Sequence, residues 1–196
     1  MAKIHGIQKM GSPPKFCRTS LKISLRNAQT ASSSSSSPPP NTTFSPEYKF
    51  DIFLSFRGAD TRTNFTDHLY KALVRKGFRT FIDAAELEKG EIIDQNLLQA
   101  IEESKFFIII FSENYANSES CLNELVKIME CTAKGGKAFP IFYHVDPSEV
   151  EKQSGKYGEA FADHENEANL EREQIQKWRT ALTEASKLAG YHIHYQ

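Results

Sequence analysis

Tyr48-Lys49-Phe50-Asp51-Ile52-Phe53-Leu54-Ser55-Phe56 decides the fold, because its apolar residues crowd too closely for a strand with one wet face. It reads as a strand buried on both faces and stopped at Arg57-Gly58. Downstream, Thr61 or Thr63 can cap a helix that carries Phe65, Leu69, Ala72 and Leu73 on one side, with Gly77 just past its end. Residues 78–82 form a second strand. Residues 83–91 are polar and contain Gly90, so they read as a loop before a helix at 92–103. Residues 106–111 are the most apolar stretch and take the centre of the sheet.

A helix follows at 119–131, where Leu122, Leu125, Ile128 and Met129 make one buried stripe. Gly135-Gly136 breaks the chain before a fourth strand at 138–143. Helices at 157–165 and 172–188 come next; in the second, Ile175, Trp178, Leu182, Ala185 and Leu188 share a face. Residues 191–195 suit a short fifth strand. Strands alternating with helices predict an α/β fold: a flavodoxin-like, doubly wound parallel sheet of five strands with helices on both faces. Ligands of such sheets bind beyond the carboxyl ends of the strands, at the switch between the first and third. That rule singles out residues 55–61 and 112–124.

Size and composition fit one domain behind a leader. The chain has 196 residues, 39% of them hydrophobic, and no apolar run long enough to span a membrane. Cys17, Cys121 and Cys131 give neither a disulfide framework nor a zinc-ligand spacing, so no metal is expected and a reducing cytosolic or nuclear compartment fits. Residues 1–47 hold six bases (Lys3, Lys9, Lys15, Arg18, Lys22, Arg26) and one acid, Glu47. The 24 bases and 25 acids of the whole chain therefore divide into a leader of +5 and a body of −6. An acidic body argues against broad binding of nucleic-acid backbone. The leader ends in Ser32 to Ser37 and Pro38 to Pro40, a composition that buries too little to order itself. Its first thirty residues have the makeup of a plastid or other organelle transit peptide, but an ordinary flexible leader looks the same and is the preferred reading. The expected division is a leader at 1–47 and a domain at 48–196.

Four blocks resemble plant TIR domains. They are Tyr48 to Arg62, whose core is Asp51-Ile52-Phe53-Leu54-Ser55-Phe56-Arg57-Gly58; Phe107-Ile108-Ile109-Ile110-Phe111-Ser112-Glu113-Asn114-Tyr115-Ala116; Cys121-Leu122-Asn123-Glu124-Leu125; and Phe139-Pro140-Ile141-Phe142-Tyr143-His144-Val145-Asp146-Pro147. The resemblance covers about three quarters of the chain. It implies cleavage of the nicotinamide–ribose bond of NAD⁺, with NAD⁺ as substrate and no cofactor, in plant innate immunity. Some members also make cyclic nucleotides from nucleic acid. It further implies TIR–TIR self-association, with sites completed between protomers, and contact with other TIR-containing receptors.

On that resemblance Glu124 is the catalytic residue; periodicity alone would leave it a surface acid between Leu122 and Leu125. A fixed carboxylate stabilises an oxocarbenium-like ribose, and nicotinamide leaves neutral, so no second acid is needed. Arg57 and Gly58 suit substrate binding, through a planar fork for pyrophosphate and a close backbone approach, or else form a plain turn. Ser112 faces the same crevice or caps the segment after it. The loop with Asp83 and Gly90 resembles the family's gating loop. His68 matches a position used for helix-on-helix self-association, and His144 and Trp178 read as core residues. No Gly-x-Gly-x-x-Gly or P-loop follows the first strand, which removes dehydrogenase and NTPase readings.

Two departures stand out. Ser120 replaces the Trp that usually precedes the Cys-Leu of the catalytic helix, removing an aromatic surface beside the nucleotide. The family also continues into a final helix, absent here, so the domain is expected to be C-terminally truncated with one sheet face partly open. The alternative to an NAD⁺ nucleosidase is a catalytically silent TIR adaptor.

Overall fold

The computed structural model describes residues 48–82, 95–167 and 170–194. The leader, and the loop holding Asp83 and Gly90, lie outside the described residues. Five strands make one all-parallel sheet in the order β2-β1-β3-β4-β5: β1 Phe50–Phe56, β2 Thr80–Ile82, β3 Ser104–Phe111, β4 Lys137–Tyr143 and β5 Tyr191–Ile193. The helices are α1 Gly58–Thr61, α2 Asp67–Arg75, α3 Gln95–Glu102, α4 Glu119–Ala133, α5 Pro147–Lys152, α6 Gly155–Asn166 and α7 Arg172–Ser186. This is the expected flavodoxin-like sheet, with β1 and β3 adjacent at the switch point.

Register follows from the sequence pattern. Phe53 pairs with Phe107 while Leu54 pairs with Ile108, so alternate residues feed opposite faces. The first face holds Phe53, Phe107, Ile109, Phe111 and Phe142, packed under α3, α4, α6 and α7. Trp178 of α7 is fully buried there, as expected. The second face holds Ile52, Leu54, Phe56 and Ile110, covered by Phe65, Leu69 and Leu73 of the first helical stretch. Toward β4 and β5 that cover thins, leaving Phe139 39% and Tyr191 66% exposed.

Three local readings need correction. Thr61 and Thr63 do not cap a helix. Helical geometry starts at Gly58, runs through a π-helical stretch at Arg62–Thr66, and buries Thr61 where it accepts a bond from Thr66 Oγ1 at 2.8 Å. The loop after β4 contains α5, started by Pro147 with Asp146 Oδ1 accepting from the Ser148 amide at 2.8 Å. His144 is no core strand residue: it follows β4 half-buried, with a left-handed φ of 56°.

Gly190 brings the chain from α7 onto the sheet edge. A Cβ there would lie 2.6 Å from the Pro140 carbonyl oxygen and 2.7 Å from Pro140 Cγ. Gly190→Ala should therefore cost about 1–3 kcal/mol by overpacking, read as a lower melting temperature. Unchanged melting would show that β5 does not dock against β4 in this way.

Candidate functional site

The carboxyl ends of β1 and β3 converge on the start of α4. Ser118 ends the preceding turn and caps α4, its hydroxyl accepting from the Cys121 amide at 3.3 Å. The helical period then turns Leu122, Leu125 and Ile128 into the core and brings Glu124 against the end of β1. Glu124 is only 6% exposed. Ser55, also buried, donates its hydroxyl to Glu124 Oε2 at 2.9 Å, and Ser120 approaches Oε1 at 3.5 Å. A carboxylate removed from water needs such donors, since an unpaired buried charge is strongly unfavourable.

Tyr115 extends the cluster. Its hydroxyl lies 2.9 Å from Ser55 Oγ and 3.0 Å from the Cys121 carbonyl, to which it can donate. With Glu124 ionised, the Ser55 and Tyr115 hydroxyls supply two protons for three contacts. The Ser55 proton is drawn to the carboxylate, the only charged acceptor of the three. Burial pushes the Tyr115 phenol well above its usual range, and the neighbouring Cys121 and Glu124 add to the rise. The Cys121 thiol is pushed up for the same reasons, burial first and Glu124 second, and it donates to the Phe56 carbonyl at 3.5 Å. Both groups therefore stay protonated, Tyr115 as a fixed dipole and Cys121 as a small hydrophobe.

Arg57, Gly58 and Ser112 fall at the same edge in different states, and His68 lies apart from them. Arg57 is half-buried directly after β1, and Gly58 opens α1 in helical rather than left-handed geometry. Ser112 is buried; its carbonyl accepts from Tyr157 at 2.9 Å, and its Oγ has no hydrogen-bond partner among the described residues. In this arrangement it is sealed from solvent. His68 is exposed on the outer side of α2, in a shallow hollow shared with Tyr70, Lys71, Val74 and Arg75.

Sequence reasoning missed the residues that hold the site together. Asp60 accepts from the Asn114 amide at 3.0 Å and from its side chain at 3.2 Å, clamping α1 to the turn after β3. Asn123 Oδ1 accepts from Trp178 Nε1 at 2.8 Å and Gln174 Nε2 at 2.7 Å, which fixes α4 to α7 beside Glu124. Ser55 was legible only as the inward residue next to the end of a buried strand, where an alcohol is out of place without a partner.

The TIR domain model matches residues 49–196. The chain belongs to the TIR domain family. Disease resistance protein RPV1 of Vitis rotundifolia is 61% identical over 145 residues, spanning 74% of this chain and 10% of that protein. TMV resistance protein N of Nicotiana glutinosa is 52% identical over 151 residues, spanning 76% of this chain and 13% of that protein. The TIR domain matched here thus spans about a tenth of the length of these curated relatives. Among solved structures, the TIR domains of the activated Roq1 resistosome superpose with a TM-score of 0.67 at 45% identity, over 74% of this chain and 88% of that one.

The Asp60 clamp gives a direct test of how the TIR site is held. Asp60→Ala removes both acceptors from Asn114, so stability should fall by about 1–3 kcal/mol and amide exchange at Asn114 should accelerate. Wild-type exchange at Asn114 in the variant would show that the clamp does not form in solution.

Proposed function

We propose that this TIR domain cleaves NAD⁺ at the nicotinamide–ribose bond in plant immune signalling, and that assembly of several copies switches it on. The observation that carries the reading is Glu124: an acid buried at the carboxyl edge of the sheet, held by Ser55, where parallel sheets bind ligands. An acid kept only for solubility would sit in water.

In this reading the N-glycosidic bond breaks with its electron pair passing to the pyridinium nitrogen, so nicotinamide leaves neutral. Positive charge grows on the ribose, and the Glu124 carboxylate stabilises it without reorganising, because its position is already set. Water adds to the anomeric carbon, loses a proton, and ADP-ribose results; attack by another nucleophile of the same substrate gives a cyclised product. Arg57 supplies a fork for the pyrophosphate. The near-complete burial of Glu124 means that the site must open for substrate to reach it. That requirement suits activation by assembly, and the assembled TIR domains of the Roq1 resistosome support it. His68, exposed on α2, belongs to one contact surface in this scheme. The adaptor alternative rests on Ser120, which presents a hydroxyl near Glu124 in place of an aromatic ring.

Glu124→Ala should lower nicotinamide release by about 100-fold or more while circular dichroism stays that of the wild type. The assay uses the full chain at high local concentration on a surface. Substantial turnover by the Ala variant would overturn the role of Glu124. A wild type that self-associates yet releases no nicotinamide would favour the adaptor.

A further inference from the structure

Away from Glu124, His164 sits on the buried side of α6. It is 2% exposed and packed between Phe161 and Trp178, whose rings lie 6.0 Å and 5.1 Å from its own. Its Nε2 is 2.8 Å from the Ala116 carbonyl oxygen. A carbonyl only accepts, so Nε2 carries the hydrogen and donates. In the neutral ring Nδ1 then keeps its lone pair, and Nδ1 is buried with no hydrogen-bond partner among the described residues. An unsatisfied buried polar atom of this kind calls for a partner.

Two carboxylates stand near the His164 ring. A ring nitrogen of His164 and one carboxylate oxygen each of Glu119 and Glu167 lie within 4.8 Å of one another. Nε2 is committed to Ala116, so an ion held here would have to bind at Nδ1. We propose that His164, Glu119 and Glu167 form a binding site for a borderline divalent cation such as Zn²⁺ or Co²⁺.

The donor chemistry selects the ion. One imidazole and two carboxylates suit Zn²⁺, Co²⁺ or Ni²⁺, whereas Mg²⁺ and Ca²⁺ prefer all-oxygen shells. Three protein ligands leave a fourth tetrahedral position for water. Metal–ligand distances of about 2.0–2.2 Å require the two glutamate side chains to close in slightly, which their flexible stems allow. The carbonyl bond at Nε2 is the support a ligating histidine ordinarily has: it fixes the tautomer and aims the ring. Glu167 ends α6, where the helix dipole favours a cation, while Glu119 opens α4, where the dipole opposes one. These offset, and the carboxylate charges decide.

A cation here would pin the first turn of α4 to the end of α6, one turn ahead of Glu124 on the same helix. It would order the base of the proposed catalytic helix. Sequence spacing gives no sign of it, because Glu119 is far from His164 and Glu167 along the chain.

The chain has a single tryptophan, Trp178, beside His164, and Co²⁺ quenches indole fluorescence at short range. Titrating the full chain with CoCl₂ should quench Trp178 saturably at one ion per chain, with Zn²⁺ reversing the effect and Mg²⁺ giving none. Glu119→Gln and Glu167→Gln keep side-chain size and leave the buried histidine in place. Loss of a supporting bond alone weakens metal sites about 10–100-fold, so each variant should raise the Co²⁺ dissociation constant at least about tenfold. His192→Gln with His194→Gln removes a separate exposed imidazole pair and should leave the quench unchanged. Quenching that is absent, that fails to saturate, that survives in both glutamine variants, or that vanishes with His192 and His194 overturns the site.

Discussion

The hydroxyl of Ser55 and the carboxylate of Glu124, 2.9 Å apart, impose the constraint on which the site depends. The sheet needs α4 packed on its first face, and that packing carries an acid into a region without water. Such an acid needs donors, and β1 offers one at the matching height. β1 does so with its one inward polar residue near its carboxyl end. Tyr115 and the Cys121 carbonyl then enclose the pair, and Asp60, Ser118 and Asn123 hold the segments that bear them. Fold and site are therefore one arrangement: moving α4 by an ångström would break the Ser55 bond.

The fold was legible because each strand announces its environment. A strand such as 50–56, apolar at nearly every position, fits only a sheet covered on both sides, and the glycines and polar loops between elements leave room for parallel crossovers. Boundaries were less legible where tertiary contacts override local preference. Thr61 looks like a cap, yet helix begins earlier because Arg57-Gly58 turns directly off β1 and Thr61 is drawn inward to Thr66. The turn bearing Asp146 and Pro147 carries a full start signal, but α5 is only six residues long and has no period to read.

For the site, the resemblance picked out Glu124 where periodicity would have left it a surface acid. Its partners escaped notice because they are distant in sequence: Ser55 and Glu124 are 69 positions apart, and Asp60 and Asn114 are 54 apart. Hydrogen bonds between elements leave no spacing signal. Ser112 stands at the expected edge, with its carbonyl tied to Tyr157 and its hydroxyl buried.

The most direct test of the account is a double-mutant cycle on Ser55 and Glu124. Unfolding free energies would be measured for the wild type, Ser55→Ala, Glu124→Ala and the double variant. A buried hydroxyl bonded to a carboxylate should show a coupling of about 1–3 kcal/mol, with Ser55→Ala costly only while Glu124 is present. Costs that add within about 0.5 kcal/mol would contradict the bond as the element that holds the site.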